Sequence, residues 1–378
     1  MKKSYIWAVI IIIIGAVLWM YFGKSSTPYS TQTQTGTQQT VQAPVAFLPD
    51  ATSSAQSIST VPSNGDGNPY GVAFVPVGFP SGGKLNPGDI LVSNWNNSKN
   101  IQGAGTTIVK ITPAGQQSLF FQGTKGLGLT TALAALKSGF VIVGNLPTTD
   151  GTGATAKAGS ILVIDSKGKL VTTLTDKNLI DGPWDIAVHD SGAQVQAFVT
   201  NALSGTIVRF DLVFNSSGLT SHIGTIIASG YAHHTDPNAA VVGPTGLFYN
   251  TQDDSLLIAA TGDNAVYRIT NAGTVTTSQG LGTIVYKDDQ HLRGPLAIAQ
   301  APNGDLIIAN GDAVNPDPAH SSTLIEFTPD GKFVKELSLD PTAGGAFGLA
   351  IDVSSGTARL AAVNDNIPSL YIWNIPLH

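Results

Sequence analysis

The chain has 378 residues, a formal net charge of −6 and only 12% charged residues. It contains 42 glycines and no cysteine, which excludes disulfide bonds, thiolate zinc sites, a cysteine nucleophile and a lipidated cysteine. Abundant glycine with few charges favours many strands joined by tight turns.

The first 24 residues predict a membrane anchor. Lys2 and Lys3 precede an uncharged, almost wholly apolar run over residues 5–22, which is long enough for one transmembrane helix. The lysines are expected to stay in the cytoplasm, so the rest of the chain lies outside it, periplasmic or at the cell surface. The alternative is a secreted protein with a cleaved signal peptide, for which residues 21–24 form a poor cleavage site.

Residues 25–54 predict a flexible linker, because Ser, Thr, Gln and Pro dominate and cannot bury enough apolar surface to fold. Residues 55–378 are predicted to form the folded domain. Subtracting the charges of Lys2, Lys3 and Lys24 from −6 leaves −9 for the exported part. This acidity argues against a nucleic-acid partner, so the membrane and an unknown small molecule or protein are the expected partners.

One pattern recurs six times in the domain: a Gly/Pro-rich lead-in, a short apolar strand, a turn and a second strand ending in polar residues. The third positions of the lead-ins are 51 to 61 residues apart and fall at Gly71, Thr131, Asp185, Gly246, Ala297 and Gly348. Such a period indicates a repeat architecture. Four antiparallel strands per repeat predict an all-β fold, a six-bladed β-propeller.

The last repeat supplies only three strands before the chain ends. An open sheet edge favours aggregation, so a strand near residues 56–61 is predicted to complete the last blade and close the ring.

The fifth repeat resembles the NHL repeat family. The resemblance rests on a strand beginning at Pro295, the first turn Ala-Pro-Asn-Gly-Asp at 301–305, and Phe-Thr-Pro-Asp-Gly at 327–331. It implies a six-bladed propeller, in a family that includes protein-binding scaffolds and a few metal enzymes. The family often places Asp after the second strand, whereas this chain mostly places Asn there.

Antiparallel order puts the start of each inner strand and the end of each second strand on one face, called here the mouth face. Loops on a rigid scaffold concentrate binding residues. The predicted binding residues of this face are Asn94, Asn145, Asn201, Asp263, Asn310, Asp312, Asn364, Asp365, Tyr70 and Trp184. The alternative is that the Asn residues stabilise turns, and that Tyr70 and Trp184 pack between blades.

Four histidines are also expected on the mouth face: His233 and His234 before the fourth blade, His291 before the fifth, and His320 in a long loop. Imidazoles with carboxylate or Asn suit a divalent metal, zinc or calcium. Ordinary loop histidines are the alternative, and no cofactor is certain.

Two functions follow as hypotheses. The first is a membrane-tethered binding or scaffold module that engages a ligand or protein through the mouth face. The alternative is a metal-dependent hydrolase or lyase, lactonase-like or amidating-lyase-like, with a His/Asn/Asp site at the mouth of the central channel. The sequence contains no nucleophile elbow or phosphate-binding loop and no catalytic residue that can be assigned.

Overall fold

The computed structural model describes residues 45–377. The predicted helix 5–22 and the predicted linker up to residue 44 lie outside the described residues. Over residues 45–377, none of the helices has the length and apolar character needed to cross a bilayer.

The described strands form six four-stranded antiparallel sheets and one small hairpin. After β1 (Gln56–Ser59), the first three sheets contain β2 (Gly67–Phe74), β3 (Ile90–Asn96), β4 (Thr107–Ile111), β5 (Gln117–Gln122); β6 (Leu129–Ala135), β7 (Phe140–Asn145), β8 (Ser160–Asp165), β9 (Leu170–Leu174); and β10 (Pro183–Asp190), β11 (Gln194–Asn201), β12 (Thr206–Asn215), β13 (Gly218–Ser229). After the hairpin β14 (His234–Asp236) and β15 (Ala240–Val242), the later sheets contain β16 (Pro244–Asn250), β17 (Ser255–Ala260), β18 (Ala265–Thr270), β19 (Thr283–Tyr286); β20 (Pro295–Gln300), β21 (Leu306–Asn310), β22 (Thr323–Phe327), β23 (Phe333–Ser338); and β24 (Ala346–Ser354), β25 (Thr357–Asn364), β26 (Ser369–Pro376). Two short 3₁₀ turns occupy Gly153–Thr155 and Pro318–His320.

The innermost strands of the six sheets contact one another in cyclic order, β2, β6, β10, β16, β20, β24 and back to β2. The predicted six-bladed β-propeller with four-stranded antiparallel blades is therefore confirmed. Its ring closes as expected, because β1 pairs antiparallel with β26, with Gln56 opposite Ile372 and Ser59 opposite Ser369.

Local sequence accounts for the blades. In the fifth blade every residue of β21 is buried, because both faces of a blade pack on neighbouring blades, which explains the continuous apolar run. The turn before it needs Gly304, whose φ of +91° suits a residue without a Cβ. Six apolar clusters fill the spaces between adjacent blades, as where Phe210 of the third blade packs with Ile142 of the second.

The folded body begins earlier than predicted. Residues 45–50, called here the strap, were expected to belong to the linker, but Phe47 and Leu48 are buried in the cluster between blades five and six. Their backbone N–H groups donate to the two carboxylate oxygens of the buried Glu326, at 2.7 and 2.8 Å. The burial of these two apolar side chains and the hydrogen bonds to the Glu326 carboxylate outweigh the cost of ordering the polar residues around them.

Candidate functional site

The Asn residues at the ends of the second strands hold the loops that join blades in place through hydrogen bonds. These residues are called here the loop fasteners. Asn145 Oδ1 accepts the N–H of Gly128 at 2.8 Å, and Asn310 Oδ1 accepts that of Arg293 at 3.0 Å. Asn201 accepts the N–H of Asp181 at 3.0 Å. Each of these Asn side chains is 5% exposed or less, so their polar atoms are directed into the fold.

The remaining members of the Asn set follow the same principle. Asn94 Nδ2 donates to the carbonyl of Thr60 at 3.1 Å, and Asn364 Nδ2 donates to Asp340 at 3.0 Å. In blade four the fastener is Asn264, one residue beyond the predicted Asp263, and its Oδ1 accepts the N–H of Gly294 at 2.9 Å. Asp263 itself accepts the N–H of Ala232 at 3.0 Å.

The structure does not bring the four histidines together, because three of them have local partners. His233 Nδ1 lies 2.9 Å from the carbonyl of Tyr231, and His234 is exposed at the start of the hairpin. His291 Nδ1 lies 2.6 Å from Asp288 Oδ2, and the ring stacks on Phe333. His320 Nδ1 lies 2.7 Å from Glu336 Oε1.

A cavity of about 480 Å³ opens at the mouth of the central channel and is called here the mouth cavity. Its apolar wall includes Tyr70, Trp184 and Phe347. Tyr70 lies edge-on to Trp184 at 5.4 Å between ring centroids and 4.4 Å from Phe347. Tyr70 and Trp184 are only 3% and 2% exposed, so they pack in the core and also line the cavity.

Asp365 is the most perturbed acid of the mouth cavity. Burial raises the pKa of its carboxyl to about 7. The Asn68 amide, in the orientation that satisfies its neighbours, donates to the two Asp365 oxygens at 3.0 and 3.2 Å and has Asn96 on its other side. Tyr70 belongs to the same group: its pKa is raised first by burial and second by the charge of Asp365.

Asp312 contributes a second acid to the mouth cavity. Its Oδ2 accepts the N–H groups of Ser322 at 2.8 Å and Gly344 at 3.0 Å, whereas its Oδ1 is buried and accepts no hydrogen bond from residues 45–377. Burial raises the pKa of Asp312, and the backbone hydrogen bonds from Gly344 and Ser322, followed by the charge of Arg293, oppose that shift.

Three polar residues of the mouth cavity have left-handed backbone. Asn68 and Asn100 each have a φ of +56°, and Asp312 has a φ of +59°. Asn and Asp tolerate this region better than other side chains, but it remains uncommon, and such residues cluster at functional sites.

The hairpin β14–β15 roofs part of the mouth cavity. Asp236 and Val241 line the cavity from this hairpin, and Asp236 Oδ1 holds the turn by accepting the N–H groups of Asn238 and Ala239 at 2.7 and 2.8 Å. Gln102, from a loop of blade one, donates to the carbonyl of Asn238 at 2.7 Å. The hairpin therefore spans from the connection between blades three and four to blade one.

Sequence reasoning missed Asn68, Asn96, Asp236 and Phe347 as lining residues. Only Phe347 carried a signal, since it takes the same place in its lead-in as Tyr70 and Trp184. The others occur once, outside the repeated pattern.

Below the mouth cavity lies a smaller space of about 70 Å³ within the channel, lined by Gly71, Asp185 and Gly348. Asp185 takes the place that Gly, Ala or Thr occupies in the other repeats. Its Oδ2 accepts the N–H of Leu247 at 2.8 Å, and burial raises its pKa to about 7.

A metal centre built from Glu, Asn and Asp side chains does not fit these residues. The described residues that line the mouth cavity include no Glu and no His. Across residues 45–377, no group of three His, Asp or Glu side chains is arranged to hold a metal ion. Asp365 already accepts the Asn68 amide, and one oxygen of Asp312 is bound to two backbone N–H groups. The four-histidine metal site remains a prediction without a matching geometry.

No family model matches the chain, so the resemblance to NHL repeats remains a resemblance. No curated protein matches it either. Solved structures do match over most of the chain. A gluconolactonase from Xanthomonas campestris is 12% identical, covers 86% of this chain and 90% of its own, and has a TM-score of 0.51.

Two other similar structures are enzymes by name. A putative oxidoreductase (glucose dehydrogenase) from Thermus thermophilus is 12% identical over 85% of this chain and 100% of its own, with a TM-score of 0.50. A luciferin-regenerating enzyme is 10% identical over 85% of this chain and 95% of its own, with a TM-score of 0.53. At these identities the similarity establishes the shared propeller fold.

Proposed function

We propose that this protein is a hydrolase that opens small cyclic esters in the mouth cavity, with Asp365 as the general acid–base residue. The observation that carries the proposal is the Asp365 carboxyl, which lines the mouth cavity and has a pKa raised by burial to about 7. A group with such a pKa accepts and returns a proton near neutral pH more effectively than an ordinary carboxyl.

The chemistry needs one proton acceptor and one site for the developing negative charge. Ionised Asp365 takes a proton from water as the water oxygen bonds to the ester carbonyl carbon. The tetrahedral intermediate then expels the ring oxygen, and Asp365 returns the proton to that oxygen. The Asn68 amide lines the same cavity. When Asp365 takes the proton, one of the Asn68 N–H groups that it accepted is released to donate to the carbonyl oxygen as that oxygen becomes negative.

The comparisons support this alternative better than the scaffold hypothesis, because similar propellers are named as a gluconolactonase and a luciferin-regenerating enzyme. The predicted Asn set is largely turned into the fold, which removes the main residues assigned to the scaffold face. An amidating-lyase-like mechanism would need histidines, and the mouth cavity has none among its described lining residues. The proposed step uses only residues of this chain.

The test measures proton release from γ- and δ-lactones by the full-length protein in detergent. Hydrolysis should occur, and kcat/KM should fall about tenfold per pH unit below pH 7, because Asp365 becomes protonated. Asp365→Asn should lower kcat by about 10²-fold or more. The matched control is Asp289→Asn, which removes an exposed acid that does not line the mouth cavity.

A wild-type rate in Asp365→Asn would refute the assignment of the base. Lactone binding without turnover would favour the binding-module hypothesis over the hydrolase.

We also propose that the protein acts outside the cytoplasm and is tethered to the membrane by residues 5–22. Membrane fractionation of the full chain and of a chain lacking residues 1–24 tests this. Equal recovery of both in the soluble fraction would refute the tether.

A further inference from the structure

Among the described residues, the charged side chains that line the mouth cavity are all acidic. Its described lining includes three carboxyl groups, those of Asp236, Asp312 and Asp365, and no Lys, Arg or His. A carboxylate or phosphate on a ligand would meet like charges in a partly desolvated space, where repulsion is much stronger than in water. The lining therefore disfavours anionic ligands, such as sugar acids and phosphorylated sugars.

Asp312 gives this charge a defined position. The residue is 9% exposed, and Oδ2 is fixed by the N–H groups of Ser322 and Gly344. Oδ1 accepts nothing from the described part of the chain. A buried carboxylate oxygen without a donor is costly, and a donor with a positive charge is the partner that stabilises it most.

The cationic side chain that acts on Asp312 does not cancel this charge. Arg293 acts on Asp312 through space, but its guanidinium already donates to the carbonyls of His291 and Gln290 at 3.0 and 2.7 Å. It also lies 3.7 Å from Asp317 and 3.7 Å from Glu336. Two carboxylates therefore share the Arg293 charge before the mouth cavity is considered.

We propose that the substrate carries an ammonium group, which binds in the mouth cavity beside Asp312. This inference rests on the proposed function for the cyclic ester and adds the charge of the substituent. Asp236 on the hairpin reinforces the negative potential from the roof of the cavity. A bound cation also favours ionised carboxyls, so ligand binding and ionisation of the site support each other.

The first measurement compares three lactones that differ in one substituent: γ-aminomethyl-, γ-hydroxymethyl- and γ-carboxy-γ-butyrolactone. The full-length protein should hydrolyse the aminomethyl lactone with a kcat/KM roughly tenfold or more above that of the hydroxymethyl lactone. The carboxy lactone should be the poorest substrate. Equal rates for the first two, or preference for the carboxy lactone, would overturn the inference and leave the hydrolase proposal intact.

The second measurement separates binding from turnover. Calorimetric titration compares cyclopentylammonium with cyclopentanol, rings that the protein cannot hydrolyse. Tighter binding of the ammonium ion supports the inference even if no lactone is hydrolysed, in which case only the proposed function fails. Binding of both rings with equal affinity overturns the inference.

Asp312→Asn provides the decisive variant, because the Asn oxygen can still accept the N–H groups of Ser322 and Gly344 while the charge is lost. The preference for the ammonium ligand over its neutral counterpart should disappear. Asp289→Asn is the control and should keep the preference. If Asp312→Asn unfolds, Asp236→Asn takes its place and should reduce the preference several-fold; a preference that either folded variant retains in full overturns the inference.

Discussion

Replacing the channel carboxyl Asp185 with Asn is expected to make the protein more stable near pH 8 and to leave its stability near pH 4 unchanged. Asp185 lies in the narrow channel, and burial raises its pKa to about 7 from the usual value of 3.8. Its Oδ2 accepts the N–H of Leu247 at 2.8 Å. Asn keeps an acceptor oxygen for that bond and cannot ionise, so the variant isolates the charge.

The sign and size follow from linkage between protonation and folding. Below about pH 4 the carboxyl is protonated in both states and contributes nothing. Between about pH 4 and 7 only the unfolded chain ionises, so wild-type stability falls as pH rises; above about pH 7 both states are ionised and the loss is constant. The full shift corresponds to about 4 kcal/mol. Solvent in the channel screens part of it, and about 2 kcal/mol is expected.

Urea denaturation followed by tryptophan fluorescence, at steps between about pH 4 and pH 8, measures the difference between wild type and Asp185→Asn. Asp289→Asn, which removes one exposed acid from the mouth face, is measured over the same range as the control for the loss of a carboxylate. A difference that is the same at both ends of the range would refute the reasoning. So would a variant less stable than wild type near pH 8.

Three further predictions concern closure, the strap and the loop fasteners. Deleting residues 55–62 removes β1 and leaves β26 unpaired, so calorimetry should show a melting temperature lower by about 10 °C; an unchanged value contradicts this closure. Glu326→Gln removes one acceptor of the strap N–H groups and should cost about 1–3 kcal/mol in urea denaturation, with faster proteolysis near residue 47; equal protease resistance would count against the strap. Asn201→Ala leaves the N–H of Asp181 without its acceptor and should cost about 1–3 kcal/mol in the same denaturation assay; an unchanged stability would contradict its role as a fastener.

The blades were predictable because each one repeats the same arrangement of strands and turns. A lead-in, two apolar strands and a Gly-containing turn such as that at Gly304 recur with a regular period, and the period itself predicts a ring. The missing last strand was equally predictable, because an unpaired edge at β26 needs a partner and the chain offered one near residue 56.

The candidate site was less predictable for the opposite reason. An Asn recurs at the end of the second strand because each blade needs a hydrogen bond to hold its incoming loop, as at Asn145, Asn201 and Asn310. The repetition therefore reflects a structural role. The order of strands and loops in the sequence predicts that Asp365 and Asp312 lie on the mouth face, and both line the mouth cavity. Asn68 and Asp236 each occur once, outside the repeated pattern, and no periodic signal reveals such a residue.

The histidine set shows the limit of reasoning from residue chemistry. His291 and His320 have the right donor atoms and lie in neighbouring loops, but Asp288 and Glu336 provide nearer partners. A sequence gives the ligands that a metal prefers, whereas only the fold reveals which side chains are already engaged.

The pairing of β1 with β26 has a consequence for how the protein is made. The ribosome produces β1 among the first residues of the folded body and β26 among the last, so β1 waits for almost the whole of synthesis before its partner exists. The strap waits as well, since Glu326 comes 278 residues after Leu48. A chain interrupted late in translation therefore has two defects, one at each end, and quality-control proteases can recognise it by either.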